Sequence, residues 1–86
     1  MRMIFQKSFE KRYKKLPQKI KEKVKERNLL FEKNPFDPLL NNHTLHGKLT
    51  GMRSIDITGD YRAVFIENSG IAIFIFVGTH SELCGK

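Results

Sequence analysis

An α+β fold is predicted by three features of this chain. Apolar residues recur three and four apart across the first third, alternation of period two takes over in the last third, and a proline- and asparagine-rich segment separates them. The expected order is strand, helix, helix, strand, strand, strand. That gives an N-terminal strand, a basic helical hairpin and a three-stranded antiparallel meander, in a single domain spanning residues 1–86.

Residues 1–5 are a short apolar stretch and read as the first strand. Ser8 is expected to cap the helix that follows, its hydroxyl accepting an orphan amide hydrogen bond. Phe9, Tyr13 and Leu16 then share one helix face. Pro17 ends that helix and opens the next, because proline suits a first helical turn. Ile20, Val24 and Phe31 keep one face of the second helix apolar, and Leu29 and Leu30 widen it. Lys19, Lys21, Lys23, Lys25 and Arg27 fall mostly outside that face. Asn34 and Pro35 stop the helix.

Residues 34–42 read as a loop, and residues 43–50 as a polar segment around Gly47. From Gly51 the period becomes two: Arg53, Ile55 and Ile57 alternate with Ser54, Asp56 and Thr58. Gly59 and Asp60 make a tight turn into a strand over 61–67. Asn68, Ser69 and Gly70 signal a hairpin, and residues 71–77 form the last strand. That strand is apolar on both faces, so it is expected to be central and covered on each side.

Charge is distributed unevenly. Residues 1–33 hold twelve of the 16 Lys and Arg and four of the 9 Asp and Glu, which leaves +8 there and −1 in the remainder. A basic segment of this kind favours a polyanionic partner, though a solvated lysine-rich helix face has the same composition. The one cysteine, Cys84, excludes an internal disulfide and fits a reducing compartment. No apolar run approaches the roughly 20 residues of a membrane helix, and the N-terminus lacks a signal-peptide pattern. A cytoplasmic protein with no membrane association is expected.

Two motifs carry chemistry. Gly59, Asp60, Tyr61 and Arg62 open one strand; Gly78, Thr79, His80, Ser81, Glu82 and Leu83 close another. Neighbouring strands can bring these ends together, placing a carboxylate, a phenol ring, a guanidinium and an imidazole at one rim. Such groups can hold a phosphate, stack a base and move a proton, which makes RNA the leading substrate. An imidazole titrates near neutrality and suits acid or base work. A guanidinium offers a planar fork of donors to a phosphate.

The order of elements and these two motifs resemble the RelE/ParE toxin superfamily of toxin–antitoxin modules, and within it the YafQ-like and RelE/StbE-type toxins. The resemblance implies a metal-independent endoribonuclease without cofactor that cuts messenger RNA on the ribosome by 2′-OH attack. It also implies a cognate antitoxin that wraps the toxin, in some cases as a heterotetramer. His80 matches a histidine that transfers a proton in YafQ-like toxins. Asp60 and Tyr61 match an Asp-Trp pair, and Arg62 matches an arginine that contacts the scissile phosphate. His46 lies near a further active-site histidine of those toxins, and Asp56 stands in place of another. Cys84 occupies a position usually held by Tyr or Phe, whose ring stacks on a base.

The catalytic set expected from these matches is His80, Asp60, Arg62 and His46, with Arg53, Tyr61 and Lys48 binding substrate. Each has a structural alternative. His80 can cap the strand end through a backbone bond, and Asp60 can serve the turn alone. Arg62 and Arg53 can form surface ion pairs with Asp56 or Glu67. Tyr61 can pack into the core, and His46 and Lys48 can lie in a solvent-facing loop. His43 is read as a loop residue without a role. Three scattered histidines lack the spacing of a zinc site. Two other functions share the resemblance: a non-catalytic ParE-like toxin that binds gyrase, and a degenerate toxin that binds only an antitoxin or nucleic acid.

Overall fold

Pro17 divides the helical third as its chemistry requires. In the computed structural model, which describes residues 1–85, helix α1 spans Lys7–Lys14 and helix α2 spans Gln18–Lys33. The strands are β1 (Arg2–Phe5), β2 (His43–Thr44), β3 (Arg53–Asp56), β4 (Tyr61–Asn68) and β5 (Ile71–Thr79), and a short helix α3 (His80–Leu83) follows. The sheet order is β1-β5-β4-β3-β2. Strand β1 runs parallel to β5, and the other pairs are antiparallel. The helices cover one face of the sheet. Among the described residues, no helix is long and apolar enough to cross a membrane.

The core forms where the helices meet that face. Phe9, Val24 and Phe31 from the helices lie against Ile55, Ala63, Phe65, Phe74 and Val77 from the strands. Phe74 is the centre of an aromatic cluster, with ring centroids 5.4 Å from Phe5, 5.9 Å from Phe9, 5.4 Å from Phe31 and 5.1 Å from Phe65. Aromatic pairs at such separations add about 0.5–1.5 kcal/mol each beyond their buried area. Tyr13, Leu16, Ile20 and Leu30 pack around the margin as their spacing predicts, but Leu29 is 61% exposed and does not widen the core.

A bulge in β5 sets which side chains reach the second face. Val64 pairs with Phe76 and Phe65 with Phe74, so Ile75 has no register partner. One extra residue reverses the alternation. Phe74 and Val77 therefore both point to the helices, while Phe76 and Gly78 point to the opposite face. The bulge also frees the Ile75 carbonyl, which accepts a 2.7 Å hydrogen bond from Ser8 Oγ. Ser8 thus lies inside α1 and ties it to β5; the N-cap position is Gln6, with no side-chain capping bond.

Three further expectations are corrected. The sheet has five strands, because His43–Thr44 pairs with β3; a two-residue polar strand leaves no periodic trace. Strand β5 lies between β1 and β4, yet Ile71, Ile73 and Phe76 on its second face are only half-buried, since no helix covers them. The last strand also runs to Thr79 rather than stopping at 77. The β4–β5 hairpin turns through Ser69 and Gly70, both at positive φ (53° and 80°), as a two-residue I′-type loop requires.

Candidate functional site

Each strand register on the second face can be followed toward the rim where β4 begins and β5 ends. Asp56 pairs with Arg62, and Arg62 pairs with Gly78, so these three positions form one row across β3, β4 and β5. The next row inward carries His43, Ser54, Val64 and Phe76, again one residue per strand. At the rim itself, the His80 amide donates to the Asp60 carbonyl at 2.9 Å. The two sequence motifs therefore meet, with His80 and Asp60 both solvent-exposed.

Arg62 is held closely. Its Nη1 donates to the carbonyls of Thr58 (3.1 Å), Gly59 (3.1 Å) and Tyr61 (3.3 Å), and its Nε lies 3.2 Å from Asp56 Oδ1. The guanidinium thus clamps the turn that presents Asp60. Nη2 remains without a protein acceptor among the described residues, leaving donors for an external anion. Asp56 also accepts from Asn41 Nδ2 at 3.4 Å.

The short helix after β5 is fixed by a capping box. Thr79 Oγ1 accepts from the Glu82 amide at 3.1 Å, and Glu82 Oε1 accepts from the Thr79 amide at 2.8 Å. The Glu82 carboxyl titrates below its ordinary value, chiefly because of the Thr79 amide; the Thr79 hydroxyl and Arg12 add to this, and partial burial opposes it. One turn along, Cys84 Sγ lies 3.6 Å from His80 Nε2. The thiol thus stands beside the imidazole.

The remaining candidates are placed differently. His46 and Lys48 are exposed and lie in the loop that closes the β2–β3 hairpin, beyond Arg53. That is the end of β3 away from Asp56, so the register separates both from His80. Arg53 shares the face of Ile55 rather than of Asp56. Its Nε donates to Asn42 Oδ1 at 2.8 Å, and its guanidinium lies 5.4 Å from the Phe36 ring centre. It does not join Arg62 in a clamp. Tyr61 pairs with Thr79 on the helix side and packs against the core. Its outer edge lines a cavity of about 500 Å3 with Arg12, Lys15, Leu16, Pro17 and Glu82 among its walls.

Two residues that the sequence did not mark stand on the second face. His43 projects beside Ser54, and its Nδ1 lies 2.6 Å from the Asn41 carbonyl. A carbonyl can only accept, so Nδ1 carries the proton and Nε2 keeps a lone pair in the neutral ring. Arg12, from α1, lies with its guanidinium 4.4 Å from the Phe76 ring centre and its Nη1 3.6 Å from Glu82 Oε2. The missed signal was Gly78, a glycine within an apolar strand, which marks a close approach by another group. Among the described residues no three His, Cys, Asp or Glu side chains converge as a metal ion would need.

A helical hairpin on one face of this sheet, with a polar row at the β4–β5 rim of the other, defines a RelE/ParE-type toxin fold. Solved structures of toxins resemble it. YafQ from E. coli strain BL21(DE3) matches with a TM-score of 0.77 at 24% identity, over 96% of this chain and 98% of that one. A YoeB/ParE toxin from Agrobacterium tumefaciens matches at 0.73 and 23%, over 93% and 99%. A chain of the toxin–antitoxin complex RelBE2 from Mycobacterium tuberculosis matches at 0.76 and 20%, over 92% and 96%. No curated protein matches the sequence significantly. The family model for the bacterial toxin of type II toxin–antitoxin systems, YafQ, matches residues 1–85, and the chain belongs to that family.

Proposed function

We propose that this toxin is an endoribonuclease that cuts messenger RNA on the ribosome and is held inactive by a cognate antitoxin. The observation that carries the reading is the 2.9 Å bond from the His80 amide to the Asp60 carbonyl. This backbone bond brings His80 and Asp60 to one rim, next to the row that holds Arg62. A toxin–antitoxin complex with the same fold, RelBE2, supports the antitoxin as partner.

Cleavage without metal needs a base for the 2′-OH, charge stabilisation for the phosphorane and an acid for the leaving 5′-oxygen. His80, exposed at the rim, is the acid. Asp60 orients it or shares its proton. The free Nη2 of Arg62 donates to the phosphate. His43 takes the place assigned to His46 from sequence: its lone-paired Nε2 belongs to the same face as Arg62, two strands away, roughly 10 Å at ordinary strand spacing. The lysines of α1 and α2 hold the toxin to ribosomal RNA through counterion release.

Inducing the protein alone and mapping new 5′ ends on cellular messenger RNA tests this. Discrete new ends are expected with the wild type and none with His80→Ala. Intact transcripts with DNA-damage signalling would favour the gyrase-binding reading instead. Full toxicity of both His80→Ala and Arg62→Ala would remove the assigned site.

A further inference from the structure

Gly78 is the one position in the polar row without a side chain, and the space above it is filled from elsewhere. A Cβ built there would lie 2.6 Å from Glu82 Oε1, 2.9 Å from Phe76 Cζ and 3.1 Å from Arg12 Nη1. Gly78 is also the register partner of Arg62, and directly opposed residues hold their Cβ positions about 4.5–5.5 Å apart. The Arg12 guanidinium from α1 therefore lies over Gly78, one strand from Arg62, whose own guanidinium turns to the Thr58, Gly59 and Tyr61 carbonyls and to Asp56.

The local sequence explains how α1 reaches this face. Strand β1 ends at Phe5, leaving the second half of β5 without a strand neighbour on that side. Helix α1 takes the vacant flank, tied by Ser8 to the Ile75 carbonyl. Arg12, one turn further on, reaches over the edge of β5 and rests on Phe76. The stack fixes the plane of the guanidinium. Its carboxylate partner, Glu82, is about half exposed, with Oε2 at 3.6 Å, so the pair is loose and open to an external anion. The Glu82 carboxylate lies over Gly78, beside one guanidinium and next to the strand position of the other. A phosphate that displaced this carboxylate would rest against Arg12, one strand from Arg62.

We propose that Arg12 is a second phosphate-binding residue of the RNA site, over Gly78 and one strand from Arg62, with Glu82 as the counter-ion that RNA displaces. This rests on the ribonuclease reading above and adds to it a contact on the strand flanking the reacting phosphate. Arg12 serves binding, so its loss acts on affinity before it acts on the chemical step.

The test is binding of a fluorescein-labelled, fully 2′-O-methylated single-stranded RNA, which cannot be cut, followed by anisotropy across a salt series. Arg12→Gln is expected to weaken binding roughly tenfold and to reduce the slope of log Kd against log salt by about 0.7, the value of one phosphate contact on a single strand. Arg12→Lys keeps the charge but loses the stack, and is expected to fall between. Arg2→Gln removes an equal charge at the far end of the sheet, where Arg2 of β1 pairs with Ile71 at the start of β5. It is expected to leave the slope unchanged. A slope unaltered by Arg12→Gln while the wild type binds overturns the Arg12 assignment alone. Equal losses from Arg12→Gln and Arg2→Gln overturn it too, by reducing the effect to net charge. A wild type that neither binds this RNA nor produces new 5′ ends in cells removes the ribonuclease reading, and the Arg12 assignment with it.

Discussion

Arg62 and Asp56 face each other across β4 and β3, with Nε 3.2 Å from Oδ1, and both side chains are more than two-thirds shielded from solvent. The pair holds one edge of the guanidinium while the Thr58, Gly59 and Tyr61 carbonyls hold another. Arg62 is therefore a part of the turn before it is a ligand for anything else. Asp56→Asn is expected to cost about 1 kcal/mol or less, since the carbonyls still hold the arginine. It is also expected to raise affinity for uncleavable RNA several-fold by removing a negative charge beside the phosphate. Urea denaturation and anisotropy measure the two effects separately.

Arg62→Ala loses more. The Thr58 and Gly59 carbonyls lose their charged donor, while the Tyr61 carbonyl keeps the Ile57 and Thr58 amides, and hydrogen bonds to a charged group are worth about 1.5–3 kcal/mol as a class. The turn also carries the Asp60 carbonyl that accepts from His80. The expected result is lower stability together with lost cleavage. Arg62→Lys keeps the charge but cannot span three carbonyls and a carboxylate at once. It is expected to recover little of the stability, as thermal unfolding of the two variants side by side reports.

His43 and His46 separate the present site from the one read off the sequence. His43 lies on the face of Arg62, and its Nδ1 is committed to the Asn41 carbonyl. His46 begins the loop beyond the far end of β3. Single-turnover cleavage is expected to fall at least tenfold in His43→Ala and to be unchanged in His46→Ala, with the fold intact in both. General acid–base groups typically contribute 100-fold or more, so even partial loss is measurable. The reverse ranking would return the base to the loop.

The helices, the hairpin at Ser69 and Gly70, and the meeting of the Asp60 and His80 motifs were all legible, because each depends on local spacing or local turn chemistry. What was not legible depends on register. His43 sits in a strand of two polar residues, too short to show a period, and its face is known only once it pairs with Ser54. Arg53 and Tyr61 were expected to bind substrate alongside Arg62, yet strand alternation turns both to the other side. Arg12 is one lysine-like position among many until β1 stops short and α1 takes its place beside β5. Residue type alone cannot distinguish it from Lys11 or Lys14.

Glu82 gives the stability a definite acid limb. Its folded pKa lies below the ordinary value of 4.5, foremost through the Thr79 amide. A depressed carboxylate contributes stability that is fully present above the unfolded pKa and is lost as pH falls through the folded one. Wild type and Glu82→Gln are therefore expected to differ in Tm near neutral pH, with the wild type higher. The gap is expected to close as pH falls below about 4.5 and through the lowered folded pKa, beyond which Glu82 is protonated in both folded and unfolded chains. A gap that stays constant over that range would mean that the amide of glutamine fully replaces the carboxylate in the capping box.

Cys84 offers a sharp single-residue test, because the resemblance read from the sequence implies a ring at that position. Its sulfur lies 3.6 Å from His80 Nε2 on the exposed side of α3, so a larger side chain can enter without displacing the core. The thiol offers a base no flat surface to rest on. Base–aromatic stacking is worth about 1–3 kcal/mol by substitution, roughly five- to 150-fold in affinity. Cys84→Phe is therefore expected to tighten binding of the 2′-O-methylated RNA within that range. Its salt slope should stay fixed, because no phosphate contact is gained. Cys84→Ser keeps the size and loses only the sulfur, and is expected to match the wild type. If Cys84→Phe binds no better than Cys84→Ser, the RNA base nearest His80 does not pass over α3, and the path of the strand must instead follow the Tyr61 side of the rim.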